Sequence, residues 1–69
     1  TEGGSMPTVY NAANELAVRY FLENRISFYE ITELIEASMD AHKVVMNPNV
    51  EEILFAESQT YEYIKRRFD

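Results

Sequence analysis

The chain has 69 residues, no cysteine and a formal net charge of -6. This length gives room for one domain, which buries only about 60% of the surface that its unfolded chain exposes. Disulfides and thiolate metal sites are excluded, and the excess of acidic residues argues against electrostatic binding of DNA or RNA. Because 46% of the residues are hydrophobic, the composition indicates a folded domain stabilised by burial of apolar faces.

No apolar run approaches the roughly 18 residues of a membrane span, and no basic-then-apolar leader is present. We therefore expect a soluble, cytoplasmic protein that binds neither membrane nor nucleic acid.

The first five residues are polar, include both glycines and show no periodicity, which indicates an incoming linker over residues 1–5 and one helical domain over residues 6–69. Ser5 is a candidate N-cap and Pro7 suits a first helical turn, so helix 1 is predicted to begin near Met6 or Pro7. Asn24 fits a left-handed helix stop. Helical spacing predicts one buried stripe, formed by Val9, Ala12, Ala13, Leu16, Ala17, Tyr20 and Phe21.

Helix 2 is predicted from about Phe28 to Lys43. Ser27 and Glu30 have the spacing of a capping box, in which each side chain accepts the other residue's amide. The turn over residues 24–27 is short, so helices 1 and 2 should pack as antiparallel or steeply crossed neighbours. The side chains expected to face inward are Ile31, Leu34, Ile35, Met39 and His42. The segment 44–48 is predicted to be a connector with an apolar part pressed on the core.

Helix 3 is predicted to run to about Arg67, after a second capping box formed by Asn49 and Glu52. Its expected buried side chains are Ile53, Leu54, Tyr61, Ile64 and Phe68. No segment has the pattern of a strand. The predicted fold class is therefore all-α, a small bundle of three principal helices with short connections.

No catalytic constellation is present. His42 is the only histidine, and without fixed partners it is better explained as a helix-end or core-edge residue than as a general base or ligand. Four acidic residues of helix 2 could be divalent-metal ligands, but they lack the loop geometry of a calcium site, and a solvated face explains them. These residues are Glu30, Glu33, Glu36 and Asp40.

The basic run 65–67 could contact a phosphate, but complementation of the helix dipole explains it more simply. Gly3 and Gly4 match no phosphate-binding motif and are interpreted as a hinge. We therefore predict no catalytic, cofactor-binding or metal-binding residue in this chain.

Two asparagines stand inside the best-defined helix, where this residue type is unfavourable. Asn11 and Asn14 either form hydrogen bonds across the bundle or to an adjoining domain, contact a ligand, or lie exposed. Three tyrosines are candidates for a docking surface: Tyr10, Tyr29 and Tyr63.

The stretch from Gly3 to Val18, followed by Phe21-Leu22 and by residues 25–28, closely resembles the start of the C-terminal helical domain of 1-deoxy-D-xylulose 5-phosphate reductoisomerase. The run Asn-Ala-Ala-Asn-Glu with its Gly-Gly and Pro lead-in is the most specific part. Residues 35–37 and 49–54 fit the later helices of that domain. The sequence departs from the family at Tyr10, where an aliphatic residue is common, and at Asn24, where glycine is common.

The resemblance implies a non-catalytic domain that supports the catalytic domain preceding it in the same chain. It implies a parent oxidoreductase of non-mevalonate isoprenoid biosynthesis, which uses NADPH and a divalent cation (Mg or Mn) and is a homodimer. It also implies a plastid location if the source is a plant or alga. The competing interpretations are a free-standing helical module that binds another protein through an apolar groove, and a small acidic metal-binding protein.

Overall fold

Three helices form the protein in the computed structural model, which describes residues 4–68 and the side chains of residues 4–67. They are α1 (Met6–Leu22), α2 (Phe28–Ala41) and α3 (Val50–Phe68). The described residues contain no strand. The predicted all-α bundle is therefore confirmed, whereas burial of the Phe68 side chain lies outside the described residues.

The directions of the helices follow from contacts at their ends. The Phe21 and Phe28 rings are 5.9 Å apart at one end of α1, and Ser5 contacts His42 at the other end. Helices α1 and α2 are therefore antiparallel. The Tyr61 hydroxyl donates to Glu15 at 3.2 Å, and the first turns of α1 and α3 share a groove, so α3 runs in the same direction as α1. Helix α1 makes most of the contacts that hold α2 and α3.

The core lies along the predicted stripe of α1. All its members are buried except Phe21, which is half-buried at the edge. Three alanines in this stripe let the neighbouring backbones approach closely. The larger core residues around them are Leu16, Tyr20, Ile26, Leu34 and Ile64.

The end of α1 has the hydrogen bonds of a Schellman motif. The Asn24 amide donates to the Phe21 carbonyl at 3.0 Å, and the Arg25 amide donates to the Tyr20 carbonyl at 2.8 Å. Asn24 has a φ of 62°, which confirms the left-handed stop. The Arg25 guanidinium lies 4.3 Å from the centre of the Tyr20 ring, so this cation–π contact accompanies the motif.

Both capping boxes are confirmed. Ser27 and Glu30 form the first, with the Glu30 carboxylate accepting the Ser27 amide at 2.8 Å. In the second, Asn49 donates its amide to Glu52 at 3.0 Å, and its side chain accepts the Glu52 amide at 2.8 Å. Each box fixes the first turn of its helix.

Helix α2 ends two residues earlier than predicted, at Ala41 rather than Lys43. His42 is extended, with φ -85° and ψ 135°, because the chain after it turns to pair with Ser5. The prediction that the connector presses an apolar part on the core is only partly correct. Val45 is half-buried, whereas Val44 and Met46 are 39% and 63% exposed.

The prediction of burial was wrong for Ile53 and Leu54, which are 37% and 58% exposed. The inward positions of α3 that are buried are Ala56, Thr60 and Ile64. Ile53 shares their side of the helix, but its turn is only partly covered. Leu54 lies on the outer side, where the described helices leave it uncovered.

The Ser5 junction and a candidate docking surface

Ser5 links the start of α1 to the segment between α2 and α3. Its side chain is fully buried, and its oxygen accepts the Val45 amide at 2.8 Å and lies 2.7 Å from Nε2 of His42. The Ser5 amide donates to the Val45 carbonyl at 2.9 Å. Ser5 does occupy the predicted N-cap position, but its hydroxyl makes no cap hydrogen bond to α1. The hydroxyl instead joins segments 37 and 40 residues away.

Gly4 is required at this junction for two reasons. Its φ is +52°, a conformation that L side chains rarely adopt. A Cβ on Gly4 would also overlap the Val45 carbonyl oxygen and lie 2.8 Å from the Met46 Cα. The hinge interpretation missed this packing role of Gly4, and Gly3 lies outside the described residues.

The contact between Ser5 and His42 has the residue types of a nucleophile and its base, but its surroundings fit a structural role. A nucleophile must be reached by a substrate, whereas the Ser5 side chain is fully buried and already accepts the Val45 amide. His42 is half-buried at the C-cap of α2. The helix-end interpretation of His42 therefore holds, and its contact with Ser5 is the feature that sequence reasoning missed.

The described residues do not fit a divalent cation. Within residues 4–68, no three histidine, aspartate or glutamate side chains come together as a metal site. Glu33, Glu36 and Asp40 are exposed on α2, and the Glu30 carboxylate binds the Ser27 amide. A solvated face accounts for Glu33, Glu36 and Asp40, and the cap of α2 accounts for Glu30.

The described residues do not fit a nicotinamide cofactor either. A dinucleotide site uses a glycine-rich turn between a strand and a helix, and residues 4–68 contain no strand. Gly4 does precede a helix, but Val45 and Met46 fill the space beside it. No helix among the described residues is long and apolar enough to cross a membrane.

Several large apolar side chains are exposed on the first turns of α3 and in the segment before it. We call this region the α3 surface and define it by Val44, Met46, Val50, Leu54 and Phe55. Val50 and Phe55 are 71% and 64% exposed. Val44 and Phe55 also line a groove of about 460 Å³ between the end of α2 and α3. Large apolar side chains exposed together are typical of an interaction site.

A smaller apolar area lies at the turn between α1 and α2. Leu22, Phe28 and Tyr29 are all more than two-thirds exposed, and the Phe28 and Tyr29 rings are 6.4 Å apart. Tyr10 is exposed on α1, whereas Tyr63 is half-buried on α3. The three tyrosines thus lie on three helices, and their role in docking stays a prediction.

The two asparagines of α1 and the basic run of α3, which are the remaining candidate residues, are exposed. Asn11 and Asn14 lie on the surface of α1, which leaves exposure, a ligand contact or a bond to an adjoining domain. Residues 65–67 form the exposed last turn of α3, where their charge complements the helix dipole. Arg67 donates to the Tyr63 hydroxyl at 3.5 Å within this turn.

Tyr61 is the titratable group whose surroundings affect it most clearly. Partial burial raises the pKa of its phenol above the ordinary value of 10.0, and the hydrogen bond to Glu15 raises it further. The neighbouring negative charges of Glu15 and Glu57 act in the same direction, and Arg19 opposes them. The neutral phenol is therefore the form that this contact between α1 and α3 favours.

Comparison with known proteins then identifies the family. The model of the DXP reductoisomerase C-terminal domain matches residues 1–63. The chain belongs to this family. Helices α1 and α2 and most of α3 lie within the match, which confirms the resemblance seen in the sequence.

The relatives of this chain carry the name of an enzyme and are much longer than the chain. A 1-deoxy-D-xylulose 5-phosphate reductoisomerase of Lachnoclostridium phytofermentans is 55% identical over 64 residues, which cover 93% of this chain and 16% of the relative. The protein of that name from Listeria innocua is 48% identical, with 91% of this chain and 17% of the relative covered. The chain thus spans about one-sixth of the length of these relatives. No solved structure matches it.

Proposed function

We propose that this chain is the C-terminal structural domain of a larger 1-deoxy-D-xylulose 5-phosphate reductoisomerase. The observation that carries the proposal is the family match over residues 1–63. In the proposed parent enzyme, 1-deoxy-D-xylulose 5-phosphate is rearranged and reduced to 2-C-methyl-D-erythritol 4-phosphate in non-mevalonate isoprenoid biosynthesis.

The proposal assigns the chemistry to the preceding part of that enzyme. NADPH and a divalent cation, Mg²⁺ or Mn²⁺, would bind there, since residues 4–68 supply neither a metal-ligand cluster nor a dinucleotide turn. The isolated domain should therefore be inactive. The homodimer and the cytoplasmic location, or a plastid location for a plant or alga, belong to the proposal for the parent enzyme.

The α3 surface is the region that we assign to docking on the catalytic domain. Burial of a side chain such as Leu54 or Phe55 on a partner stabilises a complex by roughly 1.5 to 3 kcal/mol each. These two residues are 58% and 64% exposed in the described structure, so most of that gain is still available to a partner.

Charged substitutions in the full-length protein test this docking. Leu54→Asp and Phe55→Asp should each lower both the thermal stability of the protein and its rate of substrate-dependent NADPH oxidation, because an aspartate cannot be buried without a partner. Thr32→Asp adds the same charge on the exposed outer side of α2 and should change neither. Wild-type stability and activity in both α3 variants would remove the α3 surface from the interface.

The competing function is a free-standing module that binds another protein. The exposed α3 surface would suit such a module, but the relatives carry the matching segment as 16% or 17% of a longer enzyme. A segment that makes up about one-sixth of each relative favours a domain of an enzyme over a free-standing module. Recovery of the native protein as a short chain without the preceding domain would favour the module.

A further inference from the structure

The Ser5 hydroxyl carries a single hydrogen, and the contacts around Ser5 limit where that hydrogen points. A serine hydroxyl donates one hydrogen bond and accepts at its two lone pairs. The Ser5 oxygen already accepts the Val45 amide at 2.8 Å, and an amide N–H can only donate. The Ser5 hydrogen must therefore point to a different group.

That group is Nε2 of His42. It lies 2.7 Å from the Ser5 oxygen, which is within hydrogen-bonding range. The Ser5 hydroxyl bonds to no third group among the described residues. The Ser5 side chain is fully buried, and a buried donor is nearly always paired because an unpaired one costs free energy.

The form of the imidazole decides whether the Ser5 hydrogen is paired. A neutral imidazole carries its hydrogen on Nδ1 or on Nε2, and the other nitrogen is an acceptor. With the hydrogen on Nδ1, Nε2 accepts from Ser5, and every group of the junction has a partner. With a hydrogen on Nε2, both His42 and the Val45 amide donate to the Ser5 oxygen, and the Ser5 hydrogen has no acceptor. The imidazolium fails in the same way, since it carries hydrogens on both nitrogens.

We infer that Ser5 donates to Nε2 of His42 and thereby holds His42 as the neutral imidazole with its hydrogen on Nδ1. The two hydrogen bonds then run in one direction, from the Val45 amide to the Ser5 oxygen and from the Ser5 hydroxyl to the His42 ring. Hydrogen bonds aligned in this way polarise and strengthen each other. The bond that one ring nitrogen makes is what generally sets the tautomer of a histidine.

The surroundings of His42 agree with a hydrogen on Nδ1. Within residues 4–67, the contact with Ser5 is the one hydrogen bond of the His42 side chain, so no described group donates to Nδ1. The charged and titratable side chains that line the neighbouring grooves with His42 are Lys43, Glu52 and Tyr63. The Glu52 carboxylate accepts the Asn49 amide instead.

This tautomer gives position 42 a defined task in the fold. His42 is the C-cap residue of α2, and the acceptor on its ring holds the hydroxyl that also binds Val45, three residues further along the chain. The direction of the Ser5 hydrogen bond thus fixes how the end of α2 meets the start of α1.

Nitrogen-15 NMR of the full-length protein, labelled at its histidines, tests the inference. The signals of His42 are assigned by their absence from the H42Q variant. At neutral pH we expect the Nδ1 signal of a protonated nitrogen and the Nε2 signal of an unprotonated one. The S5A variant should lose this single tautomer and give signals averaged over both, whereas S58A, at an exposed position of α3, should keep it.

Three results would overturn the inference. In the wild type, these are a protonated Nε2, with or without a protonated Nδ1, and signals averaged between the two tautomers. In the variant, the result is an S5A protein that keeps the wild-type tautomer, since Ser5 would then not set it. Because the first two results concern the wild-type protein, the test stands even if S5A does not fold.

Discussion

Ser5 joins two segments that are far from it in the sequence. Its side chain satisfies the Val45 amide and contacts the His42 imidazole, and its amide donates to the Val45 carbonyl. Gly4 beside it supplies the backbone conformation and the space that this pairing needs. Two small adjacent residues thus fix the start of α1 against the segment that leads into α3.

Ser5→Ala should destabilise the protein by about 1 to 3 kcal/mol, because it leaves the half-buried Val45 amide without its acceptor. Urea denaturation measures the change. Ser58→Ala is the control, since Ser58 is exposed on α3 and should change the free energy of unfolding by less than about 0.5 kcal/mol. Equal stability of the two variants would mean that the Ser5 hydroxyl contributes nothing beyond a surface serine.

Tyr61 should make stability depend on pH in the alkaline range. Its pKa is raised in the folded state above the ordinary 10.0, so the unfolded chain loses this proton first as the pH rises. The stability that the neutral phenol contributes is fully present below pH 10 and is lost as the pH rises through the higher folded-state pKa.

Chemical denaturation of wild type, Tyr61→Phe and Tyr29→Phe between pH 8 and pH 11 measures this dependence. The fall in unfolding free energy above about pH 10 should be smaller in Tyr61→Phe than in wild type. Tyr29 is 80% exposed, so its variant should follow the wild-type curve. A Tyr61→Phe curve parallel to wild type would contradict the assigned pKa shift.

At the scale of the elements, local chemistry explains why the helix starts could be predicted. Ser27 with Glu30 and Asn49 with Glu52 are three residues apart, and their capping bonds form within one turn. The stripe on α1 could be predicted for a similar reason, since its period alone defines which side chains share a face.

The contacts that sequence reasoning missed are long-range. The bond between Ser5 and His42 spans 37 residues, and it accounts for the early end of α2. The exposure of Ile53 depends on where the neighbouring helices stop covering α3, which the period of α3 cannot specify.

Leu16→Ala tests the place of α1 at the centre of the bundle. Leu16 is 4% exposed within the core cluster, so its truncation should cost about 2 to 5 kcal/mol. Leu22→Ala removes the same atoms from a side chain that is 73% exposed and should cost less than about 1 kcal/mol. Similar unfolding midpoints for the two variants would contradict a core built on α1.

At the scale of the whole molecule, the packed core lies inside the bundle, and a group of exposed apolar side chains lies outside it. The buried face of α1 packs on both other helices. The α3 surface exposes large apolar side chains. This arrangement suits a domain that folds around α1 and meets the rest of an enzyme through α3. Membership of the DXP reductoisomerase C-terminal domain family agrees with that division of roles.

The assignment of this chain to a larger enzyme is tested most directly by capturing the native protein from its source cells with an antibody against this chain. The mass and the activity of the captured protein are then measured. We expect a polypeptide about six times the 8.1 kDa of this chain, since the chain covers 16% or 17% of its relatives. The captured protein should oxidise NADPH when given 1-deoxy-D-xylulose 5-phosphate and a divalent cation. A native polypeptide near 8.1 kDa, or a long one without this activity, would contradict the assignment to a larger reductoisomerase.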